Sequence, residues 1–217
     1  MAERKIHVVY VTSNQFKKKE NDVFVEHCQL TDGSSVRDKF EFEIRPVPIK
    51  EILEVKIEAM VMEEVTKAYS EIKVPCIVEH AGLIFEGYES YPGGLTKPMW
   101  NALKEQFILE TKSAKRRAIA RAVVAYCDGK SVTTFVGETS GTIADSPRGK
   151  TEFYWDTVFM PDDPSGKALN KTFAEIADDP SLGLKYKMTD LSQSSKAMVK
   201  FLDFRRSHSP DLWPRSD

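Results

Sequence analysis

The 217-residue chain lacks the features that most quickly assign a protein to a class. Its 31 Lys and Arg residues nearly balance 33 Asp and Glu residues, and a formal net charge of −2 gives no overall attraction to nucleic acid or to an anionic membrane. No stretch approaches the roughly 20 apolar residues of a membrane span, and the apolar run near the N-terminus is too short for a signal peptide. We therefore expect no nucleic-acid partner, no membrane association and only a local basic site.

Cysteine is also scarce, with Cys28, Cys76 and Cys127 far apart in the sequence. This odd number and this spacing do not fit a set of structural metal ligands. Three reduced thiols are typical of the cytosol, where disulfides are rare. We therefore expect a cytoplasmic protein.

Apolar patterns predict strands and helices that alternate along the chain. Strands are predicted at 5–12, at 38–47 and on either side of a polar break at Glu79–Gly82, and helices at 14–28, 53–72 and 194–204. Asp128–Gly129 is the strongest hairpin signal. Interleaved strands and helices predict the α/β class with a mixed sheet. The absence of an obvious linker predicts one domain over residues 1–205, followed by a loosely ordered tail at 206–217.

Three lysines occupy an unfavourable position. The stretch VTSNQFKKKE puts Lys17, Lys18 and Lys19 in the first turns of a predicted helix, where the helix dipole and free N–H groups repel cations. A phosphate bound there would make their charge favourable, and Thr12 and Asn14 would add hydroxyl and amide donors. The alternative is a solvated helix face that tolerates a penalty of about 0.3–1 kcal/mol per charge.

Two glutamates and one aromatic segment are further candidates. Glu54 opens the long predicted helix and Glu79 lies at the polar break, so their carboxylates could hold a Mg²⁺ that bridges phosphates. In FYWDTVF, aromatic rings beside Asp156 could stack a base while the carboxylate accepts its N–H groups. The alternatives are surface glutamates and an aromatic core strand.

These pieces occur in the order found in the inosine triphosphate pyrophosphatase family, which the chain resembles from about residue 6 to 202. The family's T-x-N-x-x-K is Thr12, Asn14 and Lys17, and VEHAGL and YPGGLTK are similar to its acidic Gly-Leu turn and Pro-Gly loop. GETSGTIADSPRG followed by FYWDTVFMPDD resembles its G-x-I-x-x-P-R-G segment and F-G-W-D-P-V-F motif. Members of the family hydrolyse ITP, dITP and XTP to the monophosphate and pyrophosphate.

The resemblance implies an elongated α/β fold of two lobes, with the nucleotide in the groove between them, and a homodimer. It also implies that the lysines face a triphosphate. The positions implied by the resemblance are Thr12, Asn14 and Lys17 for phosphate, Glu54 and Glu79 for Mg²⁺, and Phe153, Trp155, Asp156, Ser192 and Gln193 for the base.

Several departures from the family pattern concern the positions that activate water and read the base. The family's second acid, an aspartate that binds metal and activates water, is replaced by His80, which follows Glu79. The other departures are Tyr154 in place of the glycine of F-G-W-D, Ser192, Gln193 and Ser194 in place of S-H-R, and a displaced lysine, with Met188 in register and Lys187 one residue away.

These positions changed, whereas Thr12, Asn14 and Lys17 of the phosphate-binding motif are retained. We therefore expect a catalytically weak or inactive member of the family that binds dITP, ITP or XTP. We also expect it to have a weakened Mg²⁺ site and to signal to an effector protein. The analogy is with bacterial anti-phage systems, some of which contain members of this family as receptors for deoxyinosine nucleotides. The first alternative is an active nucleoside triphosphate pyrophosphatase, in which His80 or a nearby acid replaces the aspartate. The second alternative is an interaction subunit that no longer binds nucleotide.

Overall fold

A computed structural model describes residues 4–111, 116–150 and 154–209 of the chain. The described residues contain six strands, at Ile6–Val11 (β1), Phe40–Arg45 (β2), Cys76–Phe85 (β3), Arg117–Cys127 (β4), Val132–Ile143 (β5) and Phe159–Pro161 (β6). They contain seven α-helices, at Gln15–His27 (α1), Val36–Lys39 (α2), Ile57–Ile72 (α3), Thr96–Leu103 (α4), Phe173–Asp178 (α5), Gly183–Tyr186 (α6) and Gln193–Ser207 (α7). Short 3₁₀ segments lie at Gly93–Leu95, Lys104–Thr111 and Tyr154–Thr157, and a π-helical turn at Lys187–Leu191.

The strands form one mixed sheet in the order β2-β1-β3-β4-β5-β6. β1 runs parallel to β2 and β3, whereas β3, β4, β5 and β6 pair antiparallel in succession. The hairpin predicted at Asp128–Gly129 joins β4 to β5, and the Asp128 carboxylate accepts the N–H groups of Lys130 and Ser131 at 2.8 Å each. The predicted α/β class with a mixed sheet is confirmed.

Helices cover both faces of one half of the sheet. On one face, α3 contributes Ile57, Val61 and Val65 to a core with residues of β1, β3 and β4. On the other face, α1 and α7 bury Phe24 and Phe201 against the same strands. Because both faces are covered, the central strands read as nearly continuous apolar runs.

The other half of the sheet carries a separate core, which forms the second lobe. Phe107, Trp155, Phe159 and Phe173 pack there against the ends of β3 and β4. β3 and β4 therefore pass through both lobes, since residues of each strand belong to the cores of both. The two-lobed arrangement is the one that the sequence resemblance implies.

The break predicted at Glu79–Gly82 was wrong. β3 is continuous, and each of its residues from Cys76 to Phe85 pairs with β4. The polar residues Glu79 and His80 occur in β3 for a different reason. β1 pairs with β3 only at Cys76 and Ile77, because the chain leaves the sheet after Val11 and turns into α1. The segment after Ile77 therefore borders an open edge, as at the carboxyl ends of strands where α/β proteins bind ligands.

Several element boundaries differ from the predicted ones. The helix predicted from residue 53 begins at Ile57, and residues 46–56 cross the surface without regular structure apart from a bend at Val55. The last helix extends to Ser207, two residues past the expected domain end, and residues 210–217 of the predicted tail lie outside the described residues. Among the helices described, none is long and apolar enough to cross a bilayer.

Close backbone packing explains the glycines of VEHAGL and YPGGLTK. A Cβ at Gly82 would overlap the carbonyl of Gly93, and a Cβ at Gly93 would overlap the carbonyl of Val55. The amide of Gly94 donates to that same Val55 carbonyl at 2.9 Å. The loop after β3 is therefore clamped between the strand and the segment that precedes α3.

We expect Gly93→Ala to destabilise the fold more than Gly87→Ala. Both glycines have positive φ, +54° and +91°, so each substitution incurs the cost of about 1 kcal/mol that a Cβ adds in this region. A Cβ at Gly87 meets nothing within 4 Å, whereas the overlap at Gly93 adds roughly 1–3 kcal/mol. Urea unfolding measures both losses, and equal losses would contradict the clamped loop.

Candidate functional site

A groove of about 420 Å³ opens beside the free edge of β3, between the two lobes. One wall is the chain from Val11 to Lys17, at the end of β1 and the start of α1. The opposite wall includes Lys97 of α4 together with Tyr154 and Trp155. The groove therefore lies where the sequence resemblance predicts a nucleotide.

Thr12, Asn14 and Lys17, the residues predicted to bind phosphate, lie together on the first wall. Asn14 is the N-cap of α1, and its Oδ1 accepts the N–H groups of Phe16 at 2.9 Å and Lys17 at 3.4 Å. Thr12 Oγ1 accepts the N–H of Asn14 at 3.2 Å. The backbone N–H groups that could bind a phosphate therefore already donate to the side chains of Asn14 and Thr12. The positive end of the helix dipole still points into the groove.

Lys17 makes a contact that the sequence did not predict. Its Nζ lies 2.9 Å from Glu79 Oε2 and also donates to the Glu79 backbone carbonyl. Lys18 and Lys19 do not line the groove in the described structure. The charge at the start of α1 is therefore balanced by a buried carboxylate from β3.

Glu79 is held by three side chains. Besides Lys17, Ser194 Oγ donates to its carboxylate at 3.0 Å and Tyr10 donates at 3.4 Å. Burial by itself raises the pKa of Glu79, but the Lys17 ammonium outweighs burial, and the pKa lies below its ordinary value. Burial likewise lowers the pKa of Lys17, and Glu79 reverses the shift to a raised pKa. Both groups are therefore charged at neutral pH.

His80 points to the other face of β3, since neighbouring strand residues alternate. Its Nε2 contacts Glu64 Oε2 of α3, and Glu51 joins them, so that the three ligand atoms lie within 4.8 Å of one another. Glu54 is not among the groove-lining residues, and its carboxylate accepts the backbone N–H of Lys56 at 3.0 Å. Neither Glu54 nor Glu79, the two predicted metal ligands, belongs to this cluster, and Glu51 lies beside Glu64 and His80 instead.

The predicted base-reading residues lie deep in the second lobe. Trp155 and Asp156 are each 1% exposed, and Trp155 packs edge-on against Phe159 while its surface also lines the groove. Phe153 lies outside the described residues. Asp156 Oδ2 binds Lys187, whereas its buried Oδ1 has no hydrogen-bond partner among the described residues.

A π-helical turn explains the displaced lysine. The amide of Ser192 donates to the carbonyl of Lys187 at 2.8 Å, a bond that spans five residues instead of four. This turn contains one extra residue, which brings Lys187 to Asp156 despite the offset. Its ammonium also binds Glu20 at 2.7 Å. Burial lowers the pKa of Lys187, but the two carboxylates reverse this effect and raise it.

The buried group of Glu20, Lys187 and Asp156 has two carboxylates for one ammonium. Burial raises the pKa of Asp156 to about 6, against the lowering effect of Lys187 and with a further increase from Glu20. An additional hydrogen-bond donor at Oδ1 would therefore stabilise the ionised form of Asp156.

The S-H-R region also differs from the expected roles. Ser192 is the N-cap of α7, where its Oγ accepts the amide of Ser195 at 3.2 Å. Gln193 is 4% exposed, and its Oε1 has no partner within the described part of the chain. Neither Gln193 nor Ser192 is among the groove-lining residues, and the Ser192 hydroxyl already has a structural contact.

The sequence missed several groove residues. Glu51 and Glu64 lie in no quoted motif, and Lys97, the last residue of YPGGLTK, was given no role. Outside the groove, the sequence also missed Glu20 as a partner of Lys187. The segment EILE contains both Glu51 and Glu54, and sequence spacing did not distinguish them. Only the path of the chain between β2 and α3 decides which glutamate faces the groove.

The fold and the groove together define a two-lobed α/β protein with a cleft lined by lysine, carboxylate and imidazole groups. The family model of the Ham1 family matches residues 8–204. Inosine triphosphate pyrophosphatase of Candida glabrata is 29% identical over 202 residues, which cover 91% of this chain and 96% of that relative. dITP/XTP pyrophosphatase of Hyperthermus butylicus is 27% identical over 171 residues, which cover 78% and 82%.

Solved structures give the same fold. The Ham1 protein of Staphylococcus aureus matches with a TM-score of 0.62 at 18% identity, covering 94% of this chain and 100% of that one. A HAM1 protein of Coxiella burnetii matches with a TM-score of 0.62 at 19% identity, covering 92% and 99%. The chain belongs to the Ham1 family, and the resemblance drawn from the sequence is confirmed.

Tyr154 adopts φ +38°, a backbone conformation that favours glycine. Its ring lines the groove, with Lys97 Nζ 5.7 Å from the ring centroid. This conformation gives a physical reason for the glycine that the family motif carries at this point. The tyrosine narrows the groove at the cost of backbone strain.

We expect Tyr154→Gly to be more stable than Tyr154→Ala by about 1 kcal/mol, because both variants lose the ring and only alanine keeps a Cβ at positive φ. Ala59→Gly, on the exposed side of α3, is the control and should show the opposite order by about 1 kcal/mol. Thermal and urea unfolding measure both differences. A Tyr154→Ala variant as stable as Tyr154→Gly would show that the backbone there is unstrained.

Proposed function

We propose that this chain binds a purine nucleoside triphosphate with a non-standard base, ITP, dITP or XTP, and hydrolyses it weakly or not at all, so that the bound nucleotide acts as a signal to an effector protein. The nucleotide class is supported by the relatives to which the chain is similar, inosine triphosphate pyrophosphatase and dITP/XTP pyrophosphatase. The homodimer implied by the resemblance stays a prediction.

One observation carries the proposal of weak hydrolysis. Of the two residues at the family's acidic pair, Glu79 is buried and held by Lys17, Ser194 and Tyr10, and the other is His80. A carboxylate with a lowered pKa and three donors is a poor base, because its proton affinity is already satisfied. Neither residue of the pair therefore supplies a carboxylate that is free to activate water.

Phosphate binding is supported by groups on both walls. The positive end of the α1 dipole and Thr12 lie on one side, and Lys97 lies on the other, 43% exposed and 3.6 Å from Glu51. A divalent cation in the groove would be held by Glu51, Glu64 and His80, and it would neutralise phosphate charge. This donor set is not one that Mg²⁺ prefers, because one of its three ligands is nitrogen.

Base reading is supported by the unsatisfied acceptors of the second lobe. Asp156 Oδ1 and Gln193 Oε1 are buried without a partner among the described residues. Such atoms are costly unless a ligand donates to them. The N1–H of inosine is such a donor, and adenosine has none. Asp156 is therefore our candidate for selection of a 6-oxo purine.

A second candidate function is an active pyrophosphatase that releases nucleoside monophosphate and pyrophosphate. The contact between His80 Nε2 and Glu64 favours it, because a carboxylate that orients an imidazole is a common arrangement for a general base. In that case His80 would take a proton from water, and Glu64 would stabilise the imidazolium.

Turnover and binding measured together separate the two functions. We expect the wild-type protein with Mg²⁺ to show a thermal shift with ITP and dITP but little pyrophosphate release. We also expect His80→Asp to raise release at least tenfold, because it supplies a carboxylate, but not to a full family rate, since Gln193 and Ser194 differ from the family motif. His7→Asp, on an exposed histidine that pairs with Glu43, is the matched control and should change neither readout.

The opposite result would decide for the second function. Rapid release by the wild type that falls in His80→Asp would make His80 the base and would overturn the weak-hydrolysis proposal. No thermal shift with any of the purine triphosphates would overturn nucleotide binding itself.

Nucleotide affinity should depend on pH through Asp156. If the ionised carboxylate accepts N1–H, a pKa of about 6 before binding predicts that ITP affinity falls roughly tenfold between pH 7 and pH 5. Asp156→Asn should remove this fall and the preference for ITP over ATP. Tripolyphosphate, which has no base, controls for titration of the phosphates. An unchanged pH profile in Asp156→Asn would move base reading to another residue.

A further inference from the structure

We infer that Glu51, Glu64 and His80 form a binding site for a first-row transition-metal dication, such as Mn²⁺, Co²⁺ or Zn²⁺, in preference to Mg²⁺. The inference concerns the groove of the proposed function and deepens it, but metal binding itself does not require a nucleotide.

The three ligands come from three separate parts of the chain. Glu51 lies in the irregular segment before α3, Glu64 on α3, and His80 on β3. Their nearest ligand atoms all lie within 4.8 Å of one another, so one ion can contact all three after small side-chain adjustments. The side chains of Glu64 and His80 are only 14% and 13% exposed, which fixes two of the three ligands in place.

The charge of the cluster favours a dication. Two carboxylates lie close together, and the imidazole, when neutral, can donate to only one of them. Lys97 Nζ lies 3.6 Å from Glu51 with its side chain 43% exposed, and Lys17, which also interacts electrostatically with Glu51 and Glu64, is already paired with Glu79. A dication would neutralise both carboxylates and would use the imidazole nitrogen as a ligand instead of as a hydrogen-bond donor.

The nitrogen ligand determines which ion fits. Mg²⁺ requires nearly octahedral oxygen coordination at about 2.0–2.1 Å and gives up its water reluctantly. Imidazole suits Zn²⁺, Co²⁺ and similar ions, whose affinity for mixed nitrogen and oxygen sites exceeds that of Mg²⁺. An aspartate at position 80 would restore an all-oxygen set. His80 is thus the residue that changes metal preference in this chain.

Three protein ligands leave coordination positions open toward the groove. Phosphate oxygens would occupy these positions in the proposed complex, and this one consequence rests on the proposed function. With a transition-metal ion in this site, a histidine at position 80 would be compatible with the nucleotide binding proposed above. The phosphate-binding role of the metal would then persist with a different ion.

The test is calorimetric titration of metal-stripped, nucleotide-free protein with MgCl₂, MnCl₂ and ZnCl₂, together with visible absorption of the Co²⁺ complex. We expect Zn²⁺ and Co²⁺ to bind at least tenfold more tightly than Mg²⁺, with Mn²⁺ between them. His80→Asp should lower Zn²⁺ affinity at least tenfold, raise Mg²⁺ affinity and change the Co²⁺ spectrum, because the nitrogen ligand is gone.

Two further variants keep the result interpretable. Glu51 lies on an exposed segment, so the Glu51→Gln variant should fold normally. Its Zn²⁺ affinity should be at least tenfold weaker, because one carboxylate ligand is lost. His7→Asp removes a histidine that also lies beside a glutamate, but with no third ligand among the described residues, and should leave Zn²⁺ affinity unchanged.

Mg²⁺ binding as tight as Zn²⁺ binding would overturn the inference, as would a Zn²⁺ affinity that neither His80→Asp nor Glu51→Gln alters. The proposed function fails separately, if ITP and dITP do not bind in the presence of any of these ions. A protein that binds ITP but shows no metal preference would overturn only the inference.

Discussion

The uninterrupted ladder between β3 and β4 is the constraint on which the rest of the structure depends. It runs through both lobes, so the cores around Val61 and around Trp155 are fixed relative to each other by one set of backbone hydrogen bonds. β1 is shorter and leaves the sheet after Val11, which exposes one edge of β3. The groove is therefore a consequence of unequal strand lengths, and its polar residues lie where the neighbouring strand is missing.

Strand alternation then divides this edge into two chemical environments. Glu79 faces α1 and α7, where Lys17 and Ser194 hold its charge. His80 faces α3, where Glu64 meets it. Consecutive residues of one strand thus belong to different networks. The two networks still interact through their charges, because His80 helps to lower the pKa of Glu79, and Glu64 helps to raise the pKa of Lys17.

The second lobe combines rigid packing with unsatisfied polarity. The π-helical turn brings Lys187 to Asp156, and the surplus of carboxylate over ammonium leaves Asp156 in need of a further donor. Buried networks of this kind are costly without a ligand and specific with one. The same lobe holds Tyr154 in a strained conformation at the groove wall. The strained backbone of Tyr154 and the unpartnered Oδ1 of Asp156 thus lie two residues apart in this lobe.

The sequence by itself determined the class of fold, the hairpin at Asp128–Gly129 and the family, because apolar periodicity, turn chemistry and ordered motifs are local properties of the chain. It also predicted that α1 starts shortly after Thr12. The tertiary structure alone decided that β3 is unbroken, that Glu51 and not Glu54 reaches the groove, and that Lys17 is paired with Glu79. These are contacts between residues distant in sequence, and they depend on strand length and on the path of irregular segments, which no local pattern specifies.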